Sequence, residues 1–198
     1  MQKLNLFSTP VAIFDLPDFE RINKIILDGN LKGVAEQNGS DTFEYSQDRN
    51  IWSHRYNEGI NILHDFFLES AAKYATEFFE MEYKPDFFRH ARGWINFCKY
   101  GQEYRFHSHR MTTIAATYYV DVGDKGGIIR LLDPRSTLGW ISLNPEHYNV
   151  FNYKPKAGQM IMFPGWLVHQ VSHNQTDKDR VAVTTNMNLI QKHYATLV

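Results

Sequence analysis

The chain has 198 residues, a formal net charge of −1 and a single cysteine, Cys98. This length suits one domain that buries a core without staples, and 43% hydrophobic with 15% aromatic residues argues against disorder. The charge balance excludes a basic nucleic-acid footprint, the lone cysteine excludes an internal disulfide, and no apolar run is long enough to span a bilayer. The opening MQKLNLFSTPVAIFDLP lacks a signal-peptide apolar core, so a soluble cytoplasmic protein is expected.

The chain changes character near residue 90. After Pro17, Asp18 is placed to cap a helix in which Phe19, Ile22, Ile25 and Ile26 share helical spacing and Gly29 marks the stop. A second helix is predicted from about Glu58 to Phe79, with Leu63, Phe67, Ala71, Ala75 and Phe78 as one packing stripe. Residues 37–56 are polar and read as a loop, of a kind that covers a site. From Ala91 onward the pattern is short strands rich in β-branched and aromatic residues: 92–99, 104–109, 113–121, 127–132, 149–153, 158–163, 168–172 and 180–189. Strands after helices predict a mostly β fold, a double-sheet jelly roll of the cupin-like, double-stranded β-helix type, with the N-terminal helices against one sheet. Residues 1–198 are expected to form one domain, a helical part (1–90) and a β core (91–198), because neither part looks able to close its own core.

Two histidines stand out first. On a strand, alternate side chains share a face, so His107 and His109 project together and can share one ion; imidazole suits Fe, Zn, Cu or Ni. Such an HxH pair is weak by itself. The run Phe163-Pro164-Gly165-Trp166-Leu167-Val168-His169 adds a third imidazole just after a Pro-Gly turn. An early strand carrying two histidines and a late strand carrying one make a three-ligand face that leaves the opposite side open. His173 competes with His169 for the late position; His54, His64, His90, His147 and His193 read as surface or satisfied core residues.

On the last strand, alternation puts Arg180, Ala182, Thr184 and Asn186 on one face, small and polar like a pocket wall. A buried guanidinium needs a partner, either a ligand carboxylate held bidentately or an Asp such as Asp177 or Asp179. Tyr118 and Tyr119 are each read as holding that carboxylate or as aromatic core, and Asn96, alternating with Trp94 on its strand, as a pocket residue or a satisfied core amide.

The order of HxH, a Tyr118-Tyr119 strand, Gly126-Gly127-Ile128-Ile129-Arg130-Leu131, a late His and then Arg resembles the Fe(II)/2-oxoglutarate (2OG) dioxygenases, in their prolyl-hydroxylase-like branch. Leu4-Asn5-Leu6-Phe7-Ser8-Thr9-Pro10 and Leu132-Asp133-Pro134-Arg135 are similar to a small bacterial and phage family of 2OG oxygenases, which would place a phage-encoded copy in the host cytoplasm. The resemblance covers nearly the whole chain. It implies Fe(II), 2OG and O2 as cofactor and co-substrates, and hydroxylation of an unactivated C–H bond in a prolyl or other amino-acid-derived substrate. It also implies His107 and His169 as metal ligands, Arg180 as the 2OG-binding arginine and Tyr119 as a co-substrate contact. The middle ligand of the superfamily is usually Asp or Glu; here that position is His109.

The full expected site is therefore His107, His109 and His169 for metal; Arg180, Tyr119 and Asn96 for 2OG; and Trp94, Tyr118, Thr184 and Asn186 for substrate. The expected partner is a small-molecule or peptide substrate, not nucleic acid or a membrane, and the Trp and Tyr content is compatible with a homodimer. The competing readings are a three-histidine dioxygenase that needs no 2OG and a non-catalytic β-sandwich binding or structural protein.

Overall fold

The structure, a computed structural model, describes residues 8–29, 31, 50–52, 57–79, 82–135 and 149–190. Its elements run β1 (Ala12–Asp15), α1 (Phe19–Asp28), α2 (Glu58–Phe79), β2 (Phe88–Cys98), β3 (Tyr104–His107), β4 (Ile114–Asp121), β5 (Ile129–Leu132), β6 (Val150–Tyr153), β7 (Gln159–Pro164), β8 (His169–Val171) and β9 (Arg180–Leu189). The strands form two antiparallel sheets, β1-β7-β4-β9-β2 and β3-β8-β5-β6. This is the jelly roll the strand pattern predicts, and among the described residues no helix is long and apolar enough to cross a membrane.

Strand alternation divides the core in two. Val181, Val183 and Met187 of β9, with Tyr118 and Val120 of β4, face a helix layer that includes Ile22, Ile26, Leu63, Phe67 and Ala71. Ala182 and Tyr119 face the other way, into the space between the sheets, with Ala115, Ile161, Phe163 and Leu131. Helix α2 keeps the predicted limits because Asn57 caps it, its Oδ1 accepting from the Ile60 backbone N–H at 2.9 Å. Phe78 departs from the expected stripe: it is 41% exposed and lies against the Tyr74 ring.

Helix α1 begins where expected, but Asp18 does not cap it with its side chain. Asp18 sits in the left-handed region (φ 54°) and its carboxylate accepts from Arg21 Nε. Strand β1 was not predicted: four residues between two prolines look too short, and only pairing with β7 at the edge of the large sheet makes them a strand. Strand β2 starts at Phe88, four residues before the expected 92.

Of the polar segment 37–56, only 50–52 are described; 37–49 and 53–56 lie outside the described residues. Residues 50–52 dock beside Gly93, whose N–H donates to Asn50 Oδ1 at 2.9 Å while Ile51 N–H donates to Gly93 O at 2.9 Å. There the Trp52 ring lies 4.4 Å from His90 and 5.7 Å from Phe67, with its indole N–H on Thr185 Oγ1.

His90 fills the centre of that cluster, its Nδ1 2.9 Å from Thr185 Oγ1 and its Nε2 3.1 Å from His64 O. Burial, with His64 beside it, lowers its pKa to about 3. The unfolded chain takes up this proton near pH 6.5, so between that value and about 3 the unfolded state binds more protons and stability falls as pH falls. We expect urea unfolding at pH 7 and pH 5 to show a larger loss for the wild type than for His90→Gln. The difference should reach at most about 1.4 kcal/mol per pH unit; equal losses would place the acid sensitivity elsewhere.

Candidate active site

Three imidazoles meet at one end of the space between the sheets. His107 ends β3 and His169 begins β8, and the two are direct partners in the β3–β8 ladder, with ring centroids 4.3 Å apart. The early and late strands that carry them are hydrogen-bonded neighbours in one sheet. His109 lies two residues past the end of β3, not on it as the range 104–109 implied. Its backbone N–H donates to Gly165 O at 2.8 Å, so the turn before His169 holds it in place. Its ring centroid is 5.3 Å from that of His107 and 5.1 Å from that of His169. One ligand atom from each of the three lies within 4.8 Å of the others.

The hydrogen bonds select the tautomers. His107 Nδ1 faces Arg105 O at 2.7 Å and His169 Nδ1 faces Leu167 O at 2.9 Å. A carbonyl only accepts, so each Nδ1 carries the proton and each Nε2 keeps its lone pair for an ion. Burial, with His107 next in rank, lowers His109 to about 4 and His169 to about 3, so both rings are neutral around pH 7. His173 lies outside this cluster, its side chain 54% exposed and its Nδ1 3.6 Å from Glu103 Oε2.

Arg180 starts β9 and is 3% exposed. Its Nη1 donates to Gly126 O and to Ser172 O (3.2 Å), both carbonyls and not the carboxylates of Asp177 or Asp179. Its guanidinium carbon lies 5.6 Å from the Tyr104 ring centroid. Gly127 is required for this cradle: its φ is +98°, and a Cβ there would stand 2.7 Å from Arg180 Nη1 and 2.6 Å from Ser172 O. Arg180 Nη2 is buried and, among the described residues, has no hydrogen-bond partner; the same holds for Tyr119 OH, Asn96 Oδ1 and Asn186 Oδ1. Burial raises the Tyr119 pKa, so the phenol stays protonated and able to donate.

The remaining expected residues separate by strand face. Asn96 Nδ2 donates to Thr184 Oγ1 at 2.9 Å, and Thr184 Oγ1 meets Thr117 Oγ1 at 3.1 Å. Trp94 pairs with Thr184 in the β2–β9 register and its ring centroid lies 6.1 Å from that of His109. Tyr118 does not join them. Its OH donates to Asn23 Oδ1 at 2.6 Å on α1, because the pleat turns it to the helix side while Tyr119 turns inward. Thr117 and Tyr104 are the residues that sequence reasoning missed. Thr117 shares the inward face of Tyr119 by alternation, which is a readable signal; nothing in the sequence links Tyr104 to Arg180.

Residues 92–186 match the model of a family described as "Putative 2OG-Fe(II) oxygenase". Over those residues, just under half of its length, the chain is similar to the 2OG-Fe(II) oxygenases. The fold agrees. A Pseudomonas putida prolyl-4-hydroxylase is similar at 14% identity and a TM-score of 0.59, over 93% of this chain and 90% of its own. AviO1 from Streptomyces viridochromogenes Tue57 is similar at 13% identity and 0.60, over 92% and 90%. The α-ketoglutarate-dependent epimerase SnoN from nogalamycin biosynthesis is similar at 12% and 0.61, over 91% and 78%. No curated protein sequence matches the chain.

Fe(II) and 2OG fit the groups present at this site. Three imidazoles suit Fe(II). They add no negative charge, so a dianion such as 2OG balances the metal's charge where a ligand carboxylate would otherwise do so. The unpartnered Arg180 Nη2 and Tyr119 OH are the buried donors that a carboxylate satisfies.

Proposed function

We propose that His107, His109 and His169 hold the Fe(II) of this oxygenase through Nε2, and that Arg180, Tyr119 and Asn96 form the 2OG pocket. The observation that carries this reading is the convergence of three imidazoles within 4.8 Å, two with Nδ1 committed to carbonyl oxygens. Arg180 presents Nη2 to the distal carboxylate of 2OG and Tyr119 donates its phenolic proton to the same group, which fixes orientation before reaction. When bound, Fe(II) supplies the redox chemistry that couples 2OG decarboxylation and O2 to oxidation of a C–H bond. Phe163, edge-on to His169 with centroids 4.7 Å apart, and Leu131, its partner across β5–β8, keep water from the buried side of the histidines. Trp94, Thr184 and Asn186 line the substrate side.

We read the two parts of the chain as one folding unit, because β1 extends the large sheet and the helices cover its outer face. A small-molecule or peptide substrate, prolyl or otherwise amino-acid-derived, and a cytoplasmic setting suit an Fe(II) enzyme whose single cysteine is buried and free.

One observation favours a second reading. A neutral His109 in place of a carboxylate also fits a three-histidine dioxygenase that takes no 2OG. The protein loaded with Fe(II) under nitrogen and then exposed to O2 decides between them. We expect succinate release from 2OG that requires both Fe(II) and O2; O2 consumption unaffected by omitting 2OG would support the second reading.

A further inference from the structure

A groove of about 760 Å³ opens beside His109, lined among others by Arg89, Arg110, Met111, Trp166 and Asn188. Among the described residues its lining holds two arginines and no acidic side chain, in a chain whose net charge is −1. Several other described arginines are neutralised or bonded: Arg21 by Asp18 and Glu58, Arg105 by Glu103, Arg130 by Gln170, Arg135 by Asp133, Arg180 by two carbonyls. Among the described residues neither Arg89 nor Arg110 is in an ion pair. Two such guanidiniums lining one groove make a positive site for an anion.

The mouth is held rigidly. Asn188 clamps the turn after His109: its Oδ1 accepts from Thr113 N–H at 2.9 Å and its Nδ2 donates to Met111 O at 3.1 Å. Met111 is thereby kept at φ 55°, a conformation unusual for its type, with its side chain 94% exposed. Gly165, whose Cβ would stand 2.3 Å from Thr112 O, lets the opposite turn approach and present Trp166, 54% exposed. Apolar surface thus stands exposed beside the two cations. The site is separate from the 2OG pocket: Arg89 pairs with Asn188, eight residues along β9 from Arg180, roughly 26 Å at about 3.3 Å per residue.

We infer that the molecule oxidised by this enzyme is an anion, with a carboxylate or phosphate received by Arg89 and Arg110 and an apolar portion laid on Trp166 and Met111. This rests on the histidine cluster being the reacting centre. The test uses the full chain loaded with Mn(II) and 2OG, whose binding is measured first; failure to load would contradict the oxygenase reading and not this one. Ligand binding is then followed by calorimetry in three arms: capped tetrapeptides containing Glu against their Gln counterparts, free amino acids against their amides, and phosphomonoesters against the parent alcohols. The expected result is at least one arm in which the anion binds about tenfold or more tightly than its neutral partner. In that arm Arg89→Gln/Arg110→Gln should abolish the preference while 2OG binding stays unchanged. The arm that responds identifies the source of the anion. No preference for the anion in any arm, or a preference that survives the double substitution, overturns the inference.

Discussion

In the His169→Ala protein, Fe(II) affinity is expected to fall by far more than the roughly 10–100-fold that loss of an outer partner of a metal ligand costs. In the proposed site the other two histidines depend on His169: it faces His107 in the sheet, and the turn leading into it holds His109 through Gly165 O. A ligand at a hundred times its Kd stabilises by about 2.7 kcal/mol, a rise in thermal midpoint of about 5–10 °C for a domain of this size. The wild type should show that rise on anaerobic addition of Fe(II), and His169→Ala should show none. His173→Ala should behave as wild type, since His173 lies on the surface beside Glu103. A metal-induced rise that persists in His169→Ala would move the site.

Replacing Arg180 with alanine should separate the two halves of the site. Hydrogen bonds to charged groups contribute about 1.5–3 kcal/mol, so 2OG affinity is expected to fall by roughly 10–100-fold while Fe(II) affinity stays within about twofold. Arg180→Lys restores charge but not the two-pronged fork, and recovery should be partial. The substitution also strands Gly126 O and Ser172 O, so 2OG binding should be measured well below the variant's thermal midpoint. Equal loss of metal and 2OG binding would contradict the division of roles.

Much of the β fold was legible because strand signals are local. Short alternating runs between Gly, Asn, Asp and Pro gave all eight strands from β2 to β9, and a long periodic stripe gave α2. What escaped depends on long-range partners. β1 is a strand only because β7 lies beside it, and Asp18 turns away from its helix because Arg21 competes for the carboxylate. The candidate site shows the same division. The sequence left Tyr118 and Tyr119 each open between pocket and core; the strand pleat turns them oppositely, and the helix layer, through Asn23, takes Tyr118. His109 reaches the cluster by a loop contact with Gly165 where strand alternation was expected, so the spacing led to the cluster by a different local cause.

The most direct test is diffraction from crystals loaded under nitrogen with Fe(II) and 2OG, using the anomalous signal of iron. The account predicts one strong anomalous peak in contact with Nε2 of His107, His109 and His169, and density for the distal carboxylate of 2OG against Arg180 Nη2 and Tyr119 OH. An iron peak away from those three nitrogens, or a 2OG carboxylate directed away from Arg180, would contradict it.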